Sequence, residues 1–303
     1  MIPEKEASRR ELISLLGELP DFDRQITCEK IGEEERETYV LEKLVLDLNG
    51  IEPVGAFFAR PKEMKDQTPA VLFHHSHGGA YHLGKDEFIK GNVYLQEPVY
   101  AEELTGMGYS ALCIDAWGFG ERRGRSESEI YKDMLWSGKV MWGMMVYDSL
   151  RAVDYLVSRP DVDPSRIATL GISMGGTMSW WVAALDERIK CCIDICSLTD
   201  FHALQDSRSL DAHSIYYYVP NLLKHFTTSR INALIAPRTH YGFAGNYDKL
   251  TPPAGLDVID RSMTDVYAME GASDHWRLFR YHTGHFETAD MRAKINKLLA
   301  ESC

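Results

Sequence analysis

The sequence predicts an α/β fold with a mainly parallel central sheet and helices on both faces. Three observations support this. Short apolar runs alternate with helical stretches. Several of those runs are apolar throughout, which is typical of strands covered on both faces. A serine between two glycines follows one of the runs directly. We expect the 303 residues to form one domain, residues 1–303.

The first elements differ from the rest. Residues 1–20 predict an amphipathic helix, since three leucines share one stripe: Leu12, Leu15 and Leu16. Residues 36–48 and 51–60 predict two strands, and Asn49-Gly50 between them is a strong hairpin signal. The domain is therefore expected to open with an antiparallel hairpin.

The remaining elements alternate. Strands are predicted at 69–75, 109–117, 166–173, 189–197, 231–239 and 276–282. Helices are predicted at 86–106, 139–158, 174–187 and 288–301. Residues 198–230 break the alternation with an aromatic-rich cluster. We interpret this segment as an insertion that forms a lid or pocket wall, the alternative being a satellite hydrophobic cluster.

Composition excludes several classes of protein. The net charge of −12 argues against a nucleic-acid partner. No apolar run approaches the length of about 18–20 residues that a membrane span needs. Three of the six cysteines fall in "CCIDIC", which indicates strand packing rather than a disulfide framework. The first residues lack a signal-peptide pattern, so we expect a cytoplasmic location. No feature decides between a monomer and a homo-oligomer.

Ser173 is the candidate nucleophile. It lies in "LGISMGG", after an apolar strand and before a helix, which is the context of a nucleophile elbow. Gly171 and Gly175 remove side chains that would clash in the tight turn. Gly176 lets the helix approach the sheet. The alternative is a small-residue turn that contains a serine by chance.

A serine nucleophile needs a base, and His285 in "YHTGHFET" is the candidate. It follows the last predicted strand, and Gly284 before it permits an unusual backbone turn. His282 is the competitor, although its position at the strand end favours packing.

The acid that orients the base is expected between the serine and the histidine in the chain. Asp248 in "GNYDKLTPP" lies in a polar turn before a predicted helix start at Thr251-Pro252. Asp194 and Asp200, around the preceding strand, are the alternatives. Aspartate also favours such turns for structural reasons alone.

The loop "HHSHGGAYHLGK" and the serine elbow are expected to supply an oxyanion hole. The backbone N–H groups of Met174 and His77 are the candidate donors. Four histidines in this loop suggest a metal site as the alternative: His74, His75, His77 and His82. We expect neither a metal nor a cofactor, because adjacent strand residues point to opposite faces and no acidic or cysteine pattern completes a zinc site.

With these motifs in place, the chain resembles the α/β-hydrolase superfamily. It is most similar to its dienelactone hydrolase, acetyl xylan esterase and cephalosporin C deacetylase branch. The resemblance rests on the segments "FHHSHGG", "IDAWGFGER", "RPDVDPSRIATLGISMGG", "GNYDKLTPP" and "TGHF". The resemblance implies an α/β-hydrolase fold and a Ser173–Asp248–His285 triad. It also implies Met174 and His77 as oxyanion donors.

Two departures refine the expected chemistry. The well-known dienelactone hydrolases use a cysteine nucleophile, whereas this chain has serine, which favours ordinary ester hydrolysis. His75-Ser76 replaces the usual His-Gly after the third strand of that fold. The lack of a signal peptide favours a small soluble ester over polymeric xylan.

The expected function is therefore hydrolysis of a small carboxylic ester through an acyl-enzyme. The same triad on a peptide, lactone or C–C bond, or in acyl transfer, is the alternative. A binding protein that has lost catalysis on a hydrolase fold is a third possibility. Aromatic residues and one histidine are candidates for a substrate pocket or for simple packing: Trp117, Phe201, Tyr216, Tyr217, Tyr218 and His225.

Overall fold

The computed structural model describes residues 2–64 and 66–303, and a nine-stranded mixed sheet dominates it. The strands are β1 (Thr27–Glu35), β2 (Tyr39–Asp47), β3 (Val54–Pro61), β4 (Thr68–His74), β5 (Ser110–Ile114), β6 (Val162–Ile172), β7 (Ile189–Ile195), β8 (Thr239–Gly245) and β9 (Trp276–Tyr281). Their order is β1-β2-β3-β5-β4-β6-β7-β8-β9. The pairs β1–β2, β2–β3 and β3–β5 are antiparallel, and the other neighbours are parallel. The predicted sheet with an antiparallel N-terminal part is confirmed.

Helices cover both faces of the sheet, as predicted. They are α1 (Ile2–Ser14), α2 (Glu87–Lys90), α3 (Tyr100–Gly106), α4 (Glu127–Trp136), α5 (Met141–Ser158), α6 (Met174–Leu185), α7 (Phe201–Asp206), α8 (Leu222–His225), α9 (Thr228–Asn232), α10 (Pro253–Met269) and α11 (Ala289–Ser302). Helices α2, α3 and α11 pack on one face, and α1, α5, α6 and α10 pack on the other. The parallel strands are covered on both sides, which explains their continuous apolar runs.

The β2–β3 hairpin has a longer connection than its sequence suggests. Leu46 pairs with Val54, so more than two residues lie between the paired positions. Gly50 has a φ of 70°, and the Asn49 side-chain oxygen accepts from the N–H groups of Ile51 and Glu52 at 2.8 and 3.1 Å. The Asn-Gly signal marks the turn correctly, but the turn is stabilised by the asparagine side chain.

Three assignments differ from the predicted elements. Residues 231–239 are not a strand, since α9 ends at Asn232 and β8 begins at Thr239. The run is apolar because Ile231, Ile235 and Ala236 pack into the core without strand pairing. The predicted helix 86–106 is two short helices, α2 and α3. Strand β1 was not predicted, because it is an exposed, glutamate-rich edge strand.

Candidate active site

Ser173 lies between β6 and α6 in a strained backbone conformation, with φ 55° and ψ −120°. Its N–H donates to Ile195 O on the neighbouring strand at 2.8 Å. A Cβ atom on Gly175 would lie 1.9 Å from His74 O, and one on Gly171 would lie 2.4 Å from Gly175 C. Only glycine fits at either position. The tight elbow that the sequence predicts is therefore required by close backbone contacts.

His285 and Asp248 form a hydrogen-bonded pair beside this elbow. The distance from His285 Nδ1 to Asp248 Oδ2 is 2.7 Å, and Asp248 is 3% exposed. Because the carboxylate accepts a hydrogen bond from Nδ1–H, the neutral ring carries its proton on Nδ1. Its Nε2 atom then has a free lone pair. The two loops are also joined by their backbones, since Tyr247 N–H donates to Thr283 O at 2.9 Å.

Ser173 and His285 line the same cavity, which has a volume of about 260 Å³. It lies beyond the carboxyl ends of β4, β6, β8 and β9, where ligands bind in sheets of this kind. The cavity brings together side chains that are more than a hundred residues apart in the chain.

The alternative acids and the alternative base have other partners. Asp194 accepts from Ser197 Oγ at 2.7 Å and pairs with His240 Nε2 at 2.8 Å. Asp200 caps α7, accepting from Ala203 N–H at 2.9 Å. His282 is exposed. Of the three aspartates, Asp248 is the one hydrogen-bonded to His285.

The four histidines of the loop after β4 do not converge on one point. His74 Nδ1 bonds Ser179 Oγ at 3.1 Å, and His75 Nε2 accepts from Ala116 N–H at 3.1 Å. His77 bonds a tyrosine, described below, and His82 is exposed. His74, His75 and His77 each have a hydrogen-bond partner within the protein.

Cys196 lies behind the His285–Asp248 pair. Its Sγ, one oxygen of Asp248 and one ring nitrogen of His285 lie within 4.8 Å of one another. The pKa of the Cys196 thiol is raised, first by burial and then by the Asp248 charge, so the thiol stays neutral. Cys196 also lines the cavity that contains Ser173 and His285.

The loop after β4 is held by Glu87, a fully buried residue that the sequence reasoning missed. Glu87 Oε1 accepts from Ser76 N–H at 2.7 Å. Its other oxygen accepts from Asn92 Nδ2 at 2.9 Å and from the Tyr94 hydroxyl. No acceptor is found within the described residues for the N–H groups of Met174 and His77. Glu87 thus fixes the backbone just before one of these two free donors.

The His77 ring has a defined tautomer. Gly79 N–H donates to Nδ1 at 2.9 Å, so the ring proton is on Nε2. Nε2 lies 2.9 Å from the Tyr216 hydroxyl oxygen and donates to it. Burial lowers the pKa of His77 to about 4, with smaller contributions from His75 and His285. The neutral ring therefore links the loop after β4 to the insertion.

The candidate pocket residues fall in different places. Tyr217 lines the cavity with Ser173, whereas Phe201 and Tyr218 line a neighbouring groove. Trp117 lies outside the cavity, with the Arg122 guanidinium 4.3 Å from its ring. His225 also lies outside it, at 3.2 Å from Glu11. Trp117 is buried in the core beside Arg122, and His225 pairs with Glu11 of α1.

Several cavity residues were not predicted: Ser197, His213, Ser214, Leu250 and Thr251. The sequence offers little signal for them, because each lies in a turn whose path depends on tertiary packing. Tyr216 carries a further contact, since its N–H donates to Glu127 Oε1 at 2.9 Å. Glu127 also accepts from the Tyr81 hydroxyl at 2.7 Å. This glutamate ties the insertion to the start of α4.

Comparison with known proteins identifies the family. The family model "Acetyl xylan esterase (AXE1)" matches residues 16–239. The chain belongs to the acetyl xylan esterase family. It is also 54% identical over 291 residues to "Putative hydrolase YtaP" of Bacillus subtilis (strain 168), covering 96% of this chain and 97% of that protein. The protein is a carboxylic ester hydrolase of this family.

Solved structures show the same fold. A glucuronoyl esterase from Solibacter usitatus aligns with a TM-score of 0.73 at 17% identity, covering 97% of this chain and 91% of that one. Acetyl xylan esterase 1 from Thermoanaerobacterium sp. JW/SL YS485 aligns with a TM-score of 0.65 at 14% identity, covering 98% and 93%. The predicted α/β-hydrolase fold is confirmed. No helix in the described ranges is long and apolar enough to cross a membrane.

Proposed function

We propose that this esterase works through a Ser173–His285–Asp248 triad and a covalent acyl-enzyme. One observation carries the proposal. Ser173, in its strained conformation, shares a cavity with His285, and His285 Nδ1 is 2.7 Å from Oδ2 of the buried Asp248. A serine hydroxyl is a weak nucleophile unless a base removes its proton. The arrangement supplies that base and fixes its tautomer.

In the first half-reaction, Ser173 Oγ attacks the ester carbonyl and His285 Nε2 takes the hydroxyl proton. The tetrahedral intermediate collapses, the C–O bond to the alcohol breaks, and His285 returns the proton to the leaving alcohol. Water then attacks the acyl-enzyme with His285 as base, which releases the acid and restores Ser173. Asp248 stabilises the imidazolium that forms in both steps.

The negative oxygen of the intermediate is stabilised by the N–H groups of Met174 and His77. Met174 begins α6, so its N–H belongs to the positive end of that helix. Donors of this type contribute about 3 kcal/mol each to the transition state. The Ser76–Glu87 hydrogen bond keeps the second donor in place.

The substrate is a small ester. The cavity of about 260 Å³ is below the range of about 300–1,000 Å³ that is usual for drug-sized ligands. A short acyl group, such as acetyl, fits this volume together with a compact alcohol. Residues 198–230 form one wall of the cavity, and we include the segment in the site as the element that limits its size.

Labelling with a fluorophosphonate, followed by intact mass measurement, tests the proposal. We expect one adduct on the wild-type protein and none on Ser173→Ala. Ser197→Ala is the matched control, because it removes another hydroxyl from the same cavity and should retain the adduct. Hydrolysis of p-nitrophenyl acetate should fall by several orders of magnitude in Ser173→Ala only. Equal labelling of the wild type and Ser173→Ala would contradict the proposal.

A further inference from the structure

A second, larger cavity lies beside the catalytic one. It has a volume of about 440 Å³, and its lining is mostly apolar, including Leu204, Leu210, Val219 and Leu222. It lies wholly within the insertion, between α7 and α8. We call it the insertion groove. None of the catalytic residues proposed above lines it.

Tyr217 is the residue that the two cavities share. Its ring stacks on His213 at 5.3 Å on the catalytic side. It makes edge contacts with Phe201 at 5.5 Å and Tyr218 at 5.7 Å on the groove side. The ring is therefore a partition between the smaller cavity, which contains the side chains of Ser173 and His285, and a larger apolar groove.

The Tyr217 hydroxyl takes no part in holding that partition. It is buried and, in the described part of the chain, has no hydrogen-bond partner. The contacts that fix the side chain are those of its ring, including a further edge contact with Trp142 at 6.1 Å. The size of the ring, rather than its polar group, closes the catalytic cavity on this side.

We propose that Tyr217 sets the length of ester that this enzyme accepts, by closing off an apolar groove that would otherwise receive a hydrocarbon chain. This inference rests on the proposed function of Ser173. The catalytic cavity alone holds a short ester, whereas both spaces together would hold a medium-length acyl or alkyl chain. Steric exclusion of even one methylene changes kcat/KM by about tenfold or more.

The test measures kcat/KM for two ester series. One lengthens the acyl group, as p-nitrophenyl acetate, butyrate and octanoate, and the other lengthens the alcohol, as ethyl, butyl and octyl acetate. The wild type should lose at least about tenfold between the short and the long member of one series. Tyr217→Ala should recover most of that loss in the same series. The series that responds shows which half of the ester faces the insertion.

Three further variants isolate the cause. Tyr217→Phe removes only the hydroxyl and should keep the wild-type profile. Tyr218→Ala removes a neighbouring ring that lines the groove alone, and it should also keep the profile. Tyr217→Leu retains apolar packing if the alanine variant is unstable, and it should give an intermediate profile. Fluorophosphonate labelling of every variant reports separately on the nucleophile.

The outcomes are distinct. A wild type without the adduct would overturn the proposed function itself. A labelled Tyr217→Ala variant whose profile matches the wild type in both series would overturn the role of Tyr217. A labelled wild type that hydrolyses octanoate and octyl esters as well as short ones would also overturn it, since no partition would then limit the substrate.

Discussion

The two walls of the cavity that contains Ser173 and His285 are built from different kinds of contact. The sheet wall comprises Ser173, Met174 and His285 at the ends of strands, and it is supported by the glycines around Ser173 and by Asp248. There, backbone atoms approach so closely that Gly171 and Gly175 have no space for a Cβ atom. The insertion wall comprises residues 212–217, which are held by aromatic rings and side-chain hydrogen bonds.

This difference has a functional consequence. Contacts between backbone atoms leave little room for adjustment, so changes in the sheet wall should cause the larger losses of activity. A side chain can rotate by about 30° at a cost of about 1 kcal/mol, so contacts made by rings and hydroxyl groups can adjust. Changes in the insertion wall should therefore alter selectivity and rate by degrees.

The largest effect is expected for Asp248→Asn in the sheet wall. The amide would favour the wrong tautomer of His285 and would not stabilise its cation, so kcat should fall by about 10⁴-fold. Asp200→Asn is the matched control, since asparagine also caps a helix and Asp200 contacts α7 rather than His285. Steady-state kinetics on p-nitrophenyl acetate measure both. A comparable loss in the two variants would argue against the triad assignment.

Gly175→Ala should distort the backbone around Ser173 without replacing a reacting group. The added methyl would lie 1.9 Å from His74 O, so the elbow or the loop after β4 must move. A displacement of about 1 Å at a reacting centre costs about 10²-fold in rate. Gly106→Ala is the control, because its Cβ would meet nothing within 4 Å. Wild-type activity in Gly175→Ala would show that the elbow tolerates more than its geometry indicates.

Two glutamates allow the walls to be compared directly. Glu87 is fully buried and holds the loop after β4, whereas Glu127 is partly exposed and holds the insertion. Glu87→Gln weakens a charge-assisted bond to Ser76 N–H, and kcat should fall by about tenfold with little change in KM. Glu127→Gln should change kcat/KM by about threefold or less. The reverse order would mean that the insertion, and not the sheet, positions the reacting groups.

The same division explains what the sequence could predict. The turn at Ser173 is marked in the sequence by the spacing of its glycines. Asp248 is marked by a polar turn, and His285 by its place in the chain order. The family comparison and the fold agree with the expected architecture. No local signal marks Glu87 as the partner of Ser76, or Tyr216 as the partner of His77, because those contacts exist only after distant elements pack.

The errors in secondary structure have a similar cause. The run 231–239 is apolar because it is buried, and burial alone does not distinguish a strand from a short helix and turn. Strand β1 was not predicted for the opposite reason, because it is exposed and polar. Its nine residues include four glutamates, and only pairing with β2 at the sheet edge makes it a strand.

The smallest predicted effect is the contribution of His77, which joins the two walls, to the pH dependence of the free energy of unfolding. Its pKa of about 4 in the folded protein lies below the value of about 6.5 expected in the unfolded chain. Between these values the unfolded state binds more protons, so the free energy of unfolding decreases as pH falls from 6.5 toward 4. After allowance for partial exposure, the loss attributable to His77 between pH 6.5 and 5 is about 1 kcal/mol.

His77→Gln isolates this contribution, because glutamine can accept from Gly79 N–H and donate to Tyr216 without titrating. Urea unfolding at pH 6.5 and 5 should show a smaller pH dependence in the variant than in the wild type. Carboxylates and the other histidines titrate in both proteins and cancel in the difference. Equal pH dependence would mean that His77 is not held neutral between the walls.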